Sequence, residues 1–192
     1  FQKSLGGEGG HGVLILSPRA VERLETYVPN WPIPKLFRLT SEGKLNEGVF
    51  GETTINTPSM LAVEDAVDAL NWAKSIGGLP ALIARSEANL DVVKAWEKTT
   101  PFFSFLAEEP ATISNTSITL SITDPWFVEL SDAEKAAIAS RLTNRLENEG
   151  IAFDVASYRH APPGIRIWAG PTVETSDIAA LLPWLDWAFA EI

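Results

Sequence analysis

A lysine beside a run of glycines opens the chain. Lys3 precedes Leu5-Gly6-Gly7-Glu8-Gly9-Gly10-His11-Gly12, and the apolar run Val13-Leu14-Ile15-Leu16 follows. A primary amine held on a glycine turn can attack a carbonyl and form a Schiff base, because the turn fixes the amine while leaving room for a flat partner. A second group is Asn56-Thr57, ahead of Pro58 and a helical pattern. Free backbone N–H groups and the helix dipole suit an anion such as phosphate there, and plain capping by Thr57 accounts for the same residues. The third group is cationic. Tyr158-Arg159-His160 and, past Pro162-Pro163, Gly164-Ile165-Arg166 place cations on either side of a proline-stiffened turn. Arg166 alternates with Ile165 and Ile167, so it shares a face with Gly164 and Trp168 while the isoleucines face the other way. Its planar fork matches a carboxylate, although an arginine on a strand is also a common edge charge.

Other readings of these residues fail on context. Residues 7–12 satisfy the G-x-G-x-x-G pattern of dinucleotide sites, but that fingerprint needs a strand before it and a helix after it, whereas here an apolar strand-like run follows. His11 and His160 are the only histidines and lie far apart, with no spacing that points to zinc or to a Ser-His-Asp triad. Taken alone, Lys3 would read as a solvated lysine near a frayed terminus. It gains weight only with the rest of the pattern.

The elements that must position these groups follow from periodicity. Val13 to Leu16 predicts a short buried strand, and Ser17-Pro18 starts a helix through about Tyr27, with serine as cap and proline where its missing N–H costs nothing. Residues 28–55 carry scattered prolines, glycines and charges, and predict a long irregular segment. Thr57-Pro58 restarts helix up to Gly77-Gly78, and Pro80 opens another to about Lys98. Ser117 to Ile122 alternates as a half-buried strand. Ser131 and Glu134 form a capping box for a helix ending at Gly150. Ile151–Tyr158 and Gly164–Trp168 predict two more strands. Ser176-Asp177 caps a terminal helix, kinked or restarted at Pro183. Its order, β-α-β-β-α, describes a small α+β unit. A boundary near residues 99–116 divides the chain into 1–98 and 99–192.

Composition narrows the classes. At 192 residues and 45% hydrophobic, the chain can bury a substantial core. A formal net charge of -10 argues against a nucleic-acid partner, which would require a clustered basic face. The sequence has no cysteine, which excludes disulfides and thiolate metal sites. No apolar stretch reaches membrane-spanning length and no basic, apolar leader opens the chain, so a cytoplasmic protein without a membrane partner is expected. Phe1 in place of an initiator methionine is read as the start of a piece of a longer chain.

Taken together, Gln2-Lys3 with its glycine turn, Asn56-Thr57-Pro58-Ser59-Met60, Leu70 through Gly78, Gly164-Ile165-Arg166-Ile167-Trp168 and Pro183 through Ala188 resemble the phosphoserine aminotransferases. These are class V members of the fold type I pyridoxal-phosphate enzymes. The resemblance extends along all 192 residues. It implies an α/β and α+β architecture: the C-terminal part of a fold type I transferase, with 1–98 a remnant of the cofactor-binding large domain plus connecting helices and 99–192 the small domain. It also implies pyridoxal 5'-phosphate carried on Lys3 as a Schiff base and Asn56 and Thr57 donating to the cofactor phosphate across a homodimer interface. Arg166 would grip the substrate α-carboxylate, and Arg159 and His160 would help bind a side-chain phosphate. A familiar bacterial form has a histidine preceding the arginine, whereas here Arg159 precedes His160. The substrates implied are phosphoserine with 2-oxoglutarate, or 3-phosphohydroxypyruvate with glutamate, in serine biosynthesis, with no metal. The family's pyridinium-facing aspartate and stacking ring would precede Phe1, so the 192-residue chain alone is expected to be inactive. Two alternatives are another class V aminotransferase, of alanine:glyoxylate or serine:pyruvate type, and a non-catalytic α+β dimerisation or binding module.

Overall fold

The computed structural model describes residues 1–192 apart from His11, Glu52 and Ile55. Contacts divide it into two compact units: Phe1–Gln2 with Gly7–Asp68, and Lys3–Gly6 with Ala69–Ile192. No helix among the described residues is long and apolar enough to cross a membrane.

The first unit is sparse. Helix α1 (Pro18–Thr26) begins as expected, with Ser17 Oγ accepting from the Ala20 N–H and proline in the first turn. The irregular stretch contains two 3₁₀ turns and a minimal hairpin, β1 (Thr40–Ser41) with β2 (Lys44–Leu45). Its turn passes through Glu42 and Gly43, both at positive φ. Glu25 of α1 ties the helix to this hairpin by accepting from the Leu45 N–H at 2.9 Å and from Lys44 Nζ at 3.2 Å.

The expected strand Val13–Leu16 is not formed. These residues are irregular, with Val13 70% and Ile15 87% exposed. A strand needs neighbours to pair its backbone and cover its faces, and this run has no ladder partner among the described residues. The helix expected from Thr57 starts later, as α2 (Met60–Ser75), and Ser59 rather than Thr57 supplies the side-chain oxygen at its start, accepting from the Ala62 N–H.

α2 ends in a Schellman motif. Gly78 N–H donates to Ala73 O at 2.8 Å and Gly77 N–H to Lys74 O at 3.3 Å, with both glycines at positive φ, where a side chain would be strained. Helix α3 (Leu79–Glu97) follows directly, Pro80 lying in its first turn.

The second unit has its own core. An antiparallel sheet runs in the order β3 (Phe103–Phe105), β4 (Ser117–Ile122), β5 (Gly164–Trp168). The register sets Ile118 opposite Ile167 and Leu120 opposite Ile165, so one face is apolar. Buried residues of α3, of α5 (Asp132–Asn148) and of α6 (Thr175–Ala190) pack into the same cluster. The other face carries Ser104, Ser117, Thr119, Ser121 and Arg166, as the period of two requires. The unit takes in α3, because Leu90 and Val93 belong to this core.

Three expectations for this unit change. β3 and the short helix α4 (Pro125–Val128) add to the predicted order. Ile151–Tyr158 is not a strand: it touches β5 through one bridge, Ala156 with Ile165, and through the Arg166 N–H to Val155 O bond at 2.8 Å. Asp154 at φ 53 turns the backbone out of the extended region there. α6 starts at Thr175 after Glu174, ahead of the expected Ser176-Asp177 cap, and runs through Pro183 as one helix. The Ser131–Glu134 capping box forms in full.

Candidate active site

Arg166 is the most constrained of the expected site residues. It sits mid-strand opposite Thr119 and only 8% of it is exposed. Its neighbour Gly164 is required for the close approach of β4, since a Cβ there would collide with the Leu120 carbonyl. The Arg166 guanidinium donates from Nη2 to both the carbonyl and the carboxylate of Asp154, each at 3.0 Å. The Tyr158 ring lies against it, 4.6 Å from Cζ to centroid. Its Nε is buried without a hydrogen-bond partner. A buried arginine N–H left open is costly, so it marks a place where an acceptor would be gained.

The loop after β5 is clamped by α3. Buried Asn89 donates through Nδ2 to Ala169 O and Val173 O, each at 3.1 Å, and to Gly170 O at 3.4 Å, while Thr175 Oγ1 donates to its Oδ1 at 2.6 Å. Arg85 adds a bond from Nε to Pro171 O and an ion pair with Glu174, both at 2.6 Å. The Lys3 turn rests on this loop. Gly6, at φ 67, closes the turn with its N–H on Lys3 O at 3.0 Å, and a Cβ on it would press on Thr172. The fixed loop thus links the backbone carrying Lys3 to the strand carrying Arg166. Lys3 itself is exposed.

The remaining candidates are looser. Arg159 and His160 are exposed, and Arg159 lines a groove of about 270 Å³ with Ser140 and Thr143 of α5. Asn56 and Thr57 are exposed and belong to the first unit. His11 lies outside the described residues. The sequence does not announce three neighbours of these candidates. Asp154 carries no motif, and Tyr158 is named only as the residue before Arg159-His160, with no contact to Arg166 foreseen. Asn89 had a faint signal, a polar residue inside the apolar stripe that includes Leu82, Leu90 and Val93.

No family model matches the chain. Among curated proteins, phosphoserine aminotransferases of Methanosarcina mazei and Methanosarcina barkeri are each 50% identical to it over 189 residues, 98% of this chain and 48% of theirs. The chain is homologous to half of phosphoserine aminotransferase. A Nocardioides phosphoserine aminotransferase is 26% identical over 188 residues, 97% of this chain and 46% of that protein. The chain therefore spans about half the length of the curated relatives it matches. A solved phosphoserine aminotransferase, determined in a study of radiation damage to its Schiff base, superposes with a TM-score of 0.65 over 89% of this chain and 42% of its own, at 15% identity. Another, from Bacillus circulans subsp. alkalophilus, gives 0.52 over 77% of this chain and 42% of its own, at 14% identity. The architecture is that of part of a fold type I transferase, and the phosphoserine aminotransferase resemblance read from the motifs is borne out.

Proposed function

We propose that this chain is the C-terminal half of a pyridoxal-phosphate-dependent phosphoserine aminotransferase. It would exchange an amino group between phosphoserine and 2-oxoglutarate in the cytoplasm, as a homodimer, for serine biosynthesis. The observation that carries this reading is the 50% identity to two phosphoserine aminotransferases along nearly all of the chain.

The residues fit the cofactor. An exposed amine on a glycine-closed turn, backed by a clamped loop, is free to bond covalently while its backbone stays still. Bound pyridoxal phosphate supplies the carbonyl that captures an amine and the ring that accepts electron density from the substrate Cα. Lys3 Nζ would hold the cofactor and would carry the proton to and from the substrate Cα as general base and acid. Arg166 orients the substrate by its α-carboxylate, the group common to phosphoserine and glutamate, so one residue serves both half-reactions. Arg159 and His160 meet the side-chain phosphate. Asn56 and Thr57 donate to the cofactor phosphate from the partner protomer.

Borohydride reduction of the loaded full-length protein, followed by peptide mass analysis, tests the assignment. The expected adduct is on Lys3. An adduct on Lys35, Lys44 or Lys74 instead would overturn it.

A further inference from the structure

We propose that Asp154 is an internal competitor for Arg166: a latch that a carboxylate substrate must displace. The inference rests on the reading of Arg166 as the carboxylate site. A guanidinium presents two edges able to hold a carboxylate through paired N–H groups, Nη1 with Nη2 and Nε with Nη2, and Nη2 belongs to both. In this structure Nη2 donates to both the Asp154 carbonyl and the Asp154 carboxylate, each at 3.0 Å. Both edges therefore share a nitrogen that Asp154 already engages. A substrate carboxylate that binds through two parallel bonds competes with Asp154 for Nη2.

The arrangement is built to release. The Arg166 side chain is only 10% exposed, whereas that of Asp154 is 91% exposed, so the arginine is fixed and its partner stands at the solvent side. Asp154 sits at φ 53 in a segment joined to β5 by one bridge rather than a ladder, so its movement disturbs little regular structure. The open Nε gives the incoming carboxylate a bond that Asp154 does not make, which favours exchange. An ion pair with so exposed a partner is weak, so the latch shifts affinity modestly: it filters out ligands that cannot offer two carboxylate oxygens at once.

The test is calorimetric titration of glutarate, a carboxylate that cannot transaminate, into the loaded full-length protein, with inorganic phosphate as control ligand. Asp154→Asn should bind glutarate roughly two- to fivefold more tightly than the parent, the range set by a weak ion pair. Asp154→Gly, which suits the positive φ, should shift the same way, with KM for phosphoserine lowered and phosphate affinity unaltered. Unchanged or weaker glutarate binding in both variants overturns the latch and makes Asp154 an orienting support for Arg166. Arg166→Ala separates the two readings. Loss of glutarate binding by tenfold or more keeps the carboxylate site whatever Asp154 does, whereas unchanged binding, or no binding by the parent, removes the site and the latch with it.

Discussion

Residues 69–192 and residues 7–68 carry apolar side chains in similar kind but use them differently. In the former, Phe103, Ile118, Leu120, Leu142, Ile165, Leu182, Leu185 and Phe189 close around one another between a three-stranded sheet and its helices. In the latter, the buried apolar side chains among the described residues are Leu39, Ala62 and Ala66, while Trp31, Val28, Ile15 and Val13 stand at 70% exposure or more. An apolar run is half of an interaction. β4 finds its complement on both sides within the chain, and Val13–Leu16 finds none among the described residues.

The contrast is open to a direct break. Leu142 is fully buried and Ile15 is 87% exposed. Leu142→Ala should cost about 2–5 kcal/mol, through lost burial and the cavity left behind. Ile15→Ala in the same 192-residue chain should change stability by less than about 0.5 kcal/mol, as surface substitutions do. Chemical denaturation of the two variants measures both. Comparable losses would mean that residues 7–68 pack more tightly in solution than their exposure indicates.

A smaller effect probes the second unit's loop. Asn89→Ala removes the donor shared by Ala169, Gly170 and Val173 carbonyls and leaves those acceptors buried, at a cost of about 1–3 kcal/mol. If the clamp holds the Lys3 turn as well, amide exchange should rise at Leu5 and Gly6 along with the loop. Faster exchange confined to residues 169–175 would show that the turn is held by other contacts.

How much of this was legible in the sequence divides along the same line. Local rules succeeded where the local partner is decisive: the Ser17 and Ser131 caps, the Gly77-Gly78 stop and the alternation of β4 need only neighbours in the chain. The Ile165/Arg166/Ile167 alternation also predicted the two faces of β5 correctly. Tertiary context decided the rest. Val13–Leu16 has strand composition but no ladder partner among the described residues. Ile151–Tyr158 has strand-like residues but is turned at Asp154 by a positive φ that no glycine announces. Phe103–Phe105 is too short for periodicity to show, and forms because β4 offers it an edge. Motif resemblance nominates Lys3, Arg166 and Asn56-Thr57 as candidates. The contacts that Asp154, Tyr158 and Asn89 make join positions apart in sequence, so the motifs do not show them.

The finest comparison between the units is electrostatic. Glu134 is exposed and Glu25 half-buried, and both are held below their ordinary value near 4.5. For Glu134 the Ser131 side chain is the main cause and the Ser131 backbone N–H the second; for Glu25 it is the Leu45 backbone N–H, then Lys44. A lowered folded-state value means that each carboxylate adds stability that is fully present above the unfolded value and is lost as pH falls through the lowered folded one. Acidification from pH 5 downward should therefore weaken the α5 cap and the α1–hairpin tie. Carboxyl-detected NMR titration of the 192-residue chain should give midpoints below 4.5 at both residues. Glu134→Gln, which keeps the side chain's shape, should make the acid limb of the stability curve slightly shallower, and Glu25→Gln should move it less, because the unit it serves buries fewer apolar side chains and contributes less to the measured unfolding. A midpoint at or above 4.5 for Glu134 would mean the capping box is not closed in solution; the same result for Glu25 alone would mean that the hairpin of residues 40–45 is not held to α1 in solution.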